Sequence, residues 1–143
     1  MIQRIQSVFL FLAAGACFGL FGTDAADTDA PVASSEVFAD GSFTVFDDPV
    51  LIGVFALAGV LFLADIFLFR NRNLQIALSR VGLFLVGIGV GYGGYLWYTD
   101  SAGASATPDF GVALPVLAFI FAVLAAFYIK KDEKLVRSAD RLR

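Results

Sequence analysis

The chain has 143 residues, 59% of them hydrophobic, and a mean hydropathy of +0.81, whereas soluble domains are about 45–50% apolar. Histidine is absent and cysteine occurs once, which excludes imidazole-based zinc, haem or iron sites, Cys-rich clusters, internal disulfides and the usual imidazole base. A net charge of −3 and a pI near 4.7 argue against nucleic acid as a partner of the whole molecule, because phosphate binding needs a basic footprint.

Those limits leave a membrane protein, and no residue cluster calls for a cofactor. A spanning helix needs about 20 apolar residues, since the hydrocarbon core is about 30 Å thick and each helical residue rises about 1.5 Å. The first segment that qualifies runs from about Ile5 to Phe21 and follows Arg4. A competing reading makes it a cleaved signal, with small residues at Ala25 and Ala26 or a partial lipoprotein box, AAGAC, ending at Cys17. Ala14 stands where that box expects a larger aliphatic residue, and the spanning reading is preferred.

An acidic loop, residues 22–49, follows and carries Asp24, Asp27, Asp29, Glu36, Asp40, Asp47 and Asp48. Within it, SEVFADGSFTVFDD places β-branched and aromatic residues on both sides of Asp40-Gly41, which predicts a small hairpin. An isolated hairpin is marginal in water, so Phe38, Phe43 and Phe46 are expected to rest on the bundle, the membrane interface or another chain.

The second span, about Val50 to Phe69, contains Asp65, the one acidic side chain placed inside a predicted span. A carboxylate there must be paired or neutralised, which makes it a functional candidate. Asp65 lies five residues before Arg70, about 7–8 Å along the helix axis, so it sits near the headgroups. Arg4, Arg70 and Arg80 are its candidate ion-pair partners, and a proton or cation site or a subunit contact are the alternatives.

The third span, about Ile76 to Tyr98, contains VGIGVGYGG. Its overlapping GxxxG pairs, Gly87 with Gly91 and Gly89 with Gly93, predict close helix packing, and Gly91→Leu is expected to destabilise the bundle. The packing partner is another span or a second protein. Tyr92, Tyr95, Trp97 and Tyr98 form an aromatic belt at the outer end. The fourth span, about Phe110 to Ile129, has Pro115 near its start, where a kink is expected. Residues 1–129 thus read as a four-span membrane domain and residues 130–143 as a charged tail. Leu135, Ala139 and Leu142 give that tail an apolar stripe beside Arg137 and Arg141, facing either anionic lipid or a partner, and Glu133 can pair with Arg137.

The ten basic residues fall before the first span, between the second and third or, for Arg80, near the start of the third, or after the fourth, and none lies in the other two loops. By the positive-inside rule both termini are cytoplasmic and the acidic loops lie outside. The expected fold is therefore an all-α four-transmembrane-helix bundle with a small outer hairpin and a C-terminal cytoplasmic amphipathic helix.

MIQRIQSVFLFLAA at the start, FLFRNRNLQIALSR in the middle and IKKDEKLVRSADRLR at the end resemble the Bacteroidetes-type membrane-protein family catalogued as domain of unknown function 4293, over essentially the whole chain. The resemblance implies a four-span protein of the bacterial inner membrane with cytoplasmic termini, and brings no activity, cofactor or catalytic residue with it. The residues favour a non-enzymatic accessory or scaffold subunit in the lipid bilayer, with protein partners at the cytoplasmic face or along span three, homo-oligomerisation included. The alternative is a small transporter, channel or lipid-handling protein using Asp65.

Overall fold

The computed structural model describes residues 3–140, and side chains for residues 5–139. Four helices carry the chain: α1 (Gln3–Gly19), α2 (Pro49–Phe67), α3 (Arg72–Thr99) and α4 (Ala113–Asp140). All four are long and apolar enough to cross a membrane. Helix α1 packs mainly against α4 and α2, and α3 against α2 and α4. Large apolar side chains such as Val8, Phe11, Val60, Phe84, Phe119 and Phe127 point outward, as on a bundle solvated by lipid tails.

Local chemistry explains the helix ends. Asp48 caps α2, its carboxylate accepting from the Val50 amide, and Pro49 occupies the first turn, where its missing N–H costs nothing. Asn71 caps α3 through the Leu74 amide and closes the tight α2–α3 turn. Helix α4 begins after a 3₁₀ turn, Phe110–Val112, so Pro115 lies in its first turn. The expected kink is therefore replaced by a helix start, a position proline tolerates.

Helices α2 and α3 mesh in one antiparallel register. A Cβ added to Gly82 would meet the Phe62 ring at 2.6 Å, one added to Gly89 would meet Phe55 at 2.6 Å, and one on Gly93 would touch Leu51 at 3.6 Å. Each step forward on α2 is matched by an equal step back on α3, and the Asp65–Ser79 contact keeps the same register. Gly59 of α2 likewise receives the Phe18 ring of α1, 2.8 Å from an added Cβ. Gly87 and Gly91 belong to the opposite face, with open space where a side chain would stand. The close-packed positions are thus Gly82 and Gly89, and the expected penalty at Gly91 has no steric basis.

At the acidic end both interhelical loops fold into one cap. The expected hairpin across Asp40-Gly41 is replaced by a three-stranded antiparallel sheet of two-residue strands: β1 (Ala26–Asp27) lies between β2 (Ser42–Phe43) and β3 (Thr107–Pro108). The reason is visible at the turn. Gly41 takes φ +98°, but Asp40 stays at negative φ, so the pair cannot form a type I′ turn. The chain then reaches back, the Ala25 amide donating to the Phe43 carbonyl at 2.7 Å and the Thr28 amide to the Gly41 carbonyl at 2.8 Å. Phe38 and Phe43 are buried beneath the cap against the edge of Trp97, whose indole N–H donates to the Gly103 carbonyl at 2.8 Å. Phe46 stays exposed, as do Tyr95 and Tyr98. Trp97 has therefore left the expected belt for the cap interior, while Tyr92 donates its hydroxyl to Asp48 at 3.0 Å.

Candidate functional site

At the basic end, where the α2–α3 turn meets the ends of α1 and α4, the polar side chains gather. Asp65 lies in the last turn of α2 and is completely buried. The Ser79 hydroxyl, one of the buried positions of α3, donates a short hydrogen bond to Asp65 Oδ2. Gln75, one helical turn earlier, donates its Nε2 to the Asp65 backbone carbonyl at 3.1 Å and accepts from Gln6 Nε2 of α1 at 3.3 Å. Gln6 and Gln75 are 2% and 0% exposed, so three helices are joined by a neutral amide chain ending on the backbone carbonyl of buried Asp65. Gln6 Oε1 and Asp65 Oδ1 receive no hydrogen bond among the described residues.

The arginines expected beside Asp65 are placed differently. Arg70 is exposed and lies over the Phe69 ring, its guanidinium carbon 6.0 Å from the centroid. Arg80 is exposed on the outer face of α3, beside Phe84, Gly87 and Phe119. The Arg4 side chain lies outside the described residues. Asp65 therefore has Ser79 in place of Arg70 or Arg80. The physical reason is helix rotation: the face of α3 that carries Ser79 and Gly82 turns to α2, and Arg80, next in sequence to Ser79, points away. The partners that charge counting overlooks are the uncharged Gln6, Gln75 and Ser79. Their signal is polar side chains at the same level of neighbouring helices, each facing an apolar interior.

One turn further out, Arg72 Nη2 lies 2.8 Å from Asp132 Oδ2 of α4, an ion pair made without an aligned hydrogen bond. Helix α4 is unbroken from Ala113 to Asp140, and at about 1.5 Å per residue its 28 residues reach roughly 12 Å beyond a hydrocarbon core. Residues 130–140 thus continue span four as helix, and Asp132 fastens them to the bundle. Glu133 pairs with Arg137 at 2.8 Å, one helical turn apart. Leu135 and Val136 are 48% and 37% exposed, Arg137 and Ala139 are exposed, and Arg141 and Leu142 lie outside the described residues. Between this helix and the α2–α3 turn runs a shallow cleft of about 290 Å³ lined by Arg70, Arg72, Asn73, Glu133, Val136 and Arg137.

Under the acidic cap lies a separate apolar cavity of about 220 Å³, bordered by Leu51, Phe55, Gly89, Gly93, Trp97 and Pro115. Gly89 and Gly93 thus serve both as packing notches and as cavity wall.

A family model described as "Domain of unknown function (DUF4293)" matches residues 2–142, nearly the whole chain. No curated protein and no solved structure matches.

Proposed function

The chain belongs to the DUF4293 family, and from that premise we propose that it is a small accessory subunit of the bacterial inner membrane that holds a cytoplasmic protein partner at its basic end. It is a multi-pass membrane protein. The distribution of its ten basic residues favours cytoplasmic termini, which directs the basic end and the projecting part of α4 toward the cytoplasm.

The observation that supports the proposal is the basic cleft lined by exposed Val136, with exposed Leu135 next to it in sequence on a helix that the Arg72–Asp132 ion pair ties to the bundle. A plain lipid anchor needs only cations on a flexible stem. Here Val136 shares the cleft with Arg70 and Arg137, and exposed Leu135 precedes it, on a helix whose Asp132 and Glu133 are already paired with Arg72 and Arg137. That pattern suits an acidic partner segment bearing an apolar anchor, with little ordering cost on this side of the interface. The bland catalytic inventory fits a binding role better than an enzymatic one.

The test is co-purification from native membranes in mild detergent, comparing the tagged chain with a Leu135→Glu, Val136→Glu variant. The partner held by the parent chain should be lost from the variant while both chains insert and fold. Identical partner sets, or retention of anionic lipid alone, would refute the reading.

A second reading, a lipid-handling protein, is favoured by the apolar cavity beneath the cap. Apolar cavities of about 150 Å³ stay dry and take up hydrocarbon, and this one is larger.

A further inference from the structure

We propose that Gln6, Asp65, Gln75 and Ser79 form a binding site for one small cation, a proton or a sodium ion, at the basic end of the bundle. The inference comes from oxygen accounting. Gln75 gives its Nε2–H to the Asp65 carbonyl, so its Oε1 is the atom that accepts from Gln6. That order fixes both amides and leaves Gln6 Oε1 as an acceptor without a donor. Asp65 is satisfied at Oδ2 by Ser79 and bare at Oδ1. Two acceptors are thus buried without a donor on residues linked through Gln75, and one of them belongs to a carboxylate that a membrane interior retains only when it is paired or neutral.

No described cation is free to neutralise it. Helix α1 brings no described cation to this level, where its Gln6 is neutral. From α3, Arg72 is committed to Asp132 of α4, and Arg80 points outward. Lys130 and Lys131 of α4 are exposed, and Arg70, beyond the end of α2, lies over Phe69. One positive charge at Oδ1 neutralises the carboxylate at its bare oxygen. As a proton it converts Oδ1 into a donor for a neighbouring acceptor. As sodium it takes oxygen ligands from carboxylate and amide, the donor type hard cations prefer. Asp65 sits in the last turn of α2, at the basic end of the bundle.

Thermal unfolding of the full chain in detergent tests this in two series. In one, sodium replaces choline at constant pH and ionic strength, and in the other pH varies without sodium. The wild-type midpoint should follow one of the two, which identifies the cation, and Asp65→Asn should lose that dependence. Gln6→Leu, which keeps the carboxylate, should weaken the response several-fold. Identical responses of wild type and Asp65→Asn in both series would overturn the site. If Asp65→Asn fails to fold, the Gln6→Leu series decides alone, and an unchanged response there overturns it equally. Neither result bears on partner docking at Leu135.

Discussion

Gly82→Leu is expected to lower the stability of the bundle by about 3 kcal/mol or more, whereas Gly91→Leu should leave it within about 0.5 kcal/mol. A Cβ on Gly82 would lie 2.6 Å from Phe62 Cε1 and 2.8 Å from Cζ, and Phe62 is completely buried, so its ring has no space to retreat into. Phe55, opposite Gly89, borders the apolar cavity and can yield more easily. Lipid tails are as apolar as the side chains, so helix association in a membrane rests on such close contacts. Gly91 meets nothing within 4 Å. Unfolding in mixed micelles separates the two variants. Equal losses would mean that α3 presents a different face to α2.

Asp100→Ala should release the acidic cap while leaving the four helices in place. Asp100 ends α3 and ties the two loops together: it accepts the Ser35 hydroxyl at 2.8 Å, the Val37 amide at 3.3 Å and the Ala102 amide at 2.8 Å. Ser35 is itself buried and accepts the Phe38 amide at 2.7 Å, so the carboxylate organises the residues that bury Phe38. Hydrogen bonds to a charged acceptor contribute about 1.5–3 kcal/mol each, and partial exposure reduces that, so roughly 2–3 kcal/mol of cap stability is at stake. Protease cleavage within residues 28–41 should become rapid in the variant. Cleavage no faster than in wild type would contradict the tie.

The same carboxylate gives the cap a dependence on pH. Burial pushes Asp100 upward, but the hydrogen bonds from Ala102, Ser35, Val37 and Glu36 outweigh it and hold the carboxyl below its usual range. Its contribution is therefore complete above the unfolded value of about 3.9 and is lost as pH falls through the lower folded value. Asp27 has the opposite sign, since burial and then Asp109 and Asp24 raise it, so acid relieves Asp27 before it loosens Asp100. Acid opening of the cap should accordingly begin below about pH 4 in wild type and vanish in Asp100→Ala, which is open already.

Much of this architecture is legible in the residues. Apolar runs of bilayer length locate the four helices, and Asp48-Pro49 marks the start of α2 within one residue of the expected Val50. Hydropathy marks where the membrane ends, however, and a helix need not stop there. Arg72 to Gln75 already belong to α3, and Lys130 to Asp140 continue α4, because Arg, Lys, Glu, Gln and Leu, which dominate both stretches, are good helix formers. Helix rotation is the second thing that composition hides. The pairs Gly87–Gly91 and Gly89–Gly93 look equivalent in sequence, yet only the second faces α2, and Gly82 stands outside both. Rotation also separates Arg80 from Asp65 and brings Ser79 to it. The cap escaped sequence reading because two-residue strands have no periodicity and β1 pairs across loops 80 residues apart, as the Thr107 hydroxyl bond to the Asp27 carbonyl shows.

Photocrosslinking in intact cells tests the docking proposal most directly. A photoreactive residue at Leu135, on the projecting part of α4, should yield one discrete protein adduct, while the same residue at Tyr98, 89% exposed at the acidic end, should yield lipid adducts only. Lipid adducts alone at both positions would contradict a partner at the basic end and leave α4 as a membrane anchor.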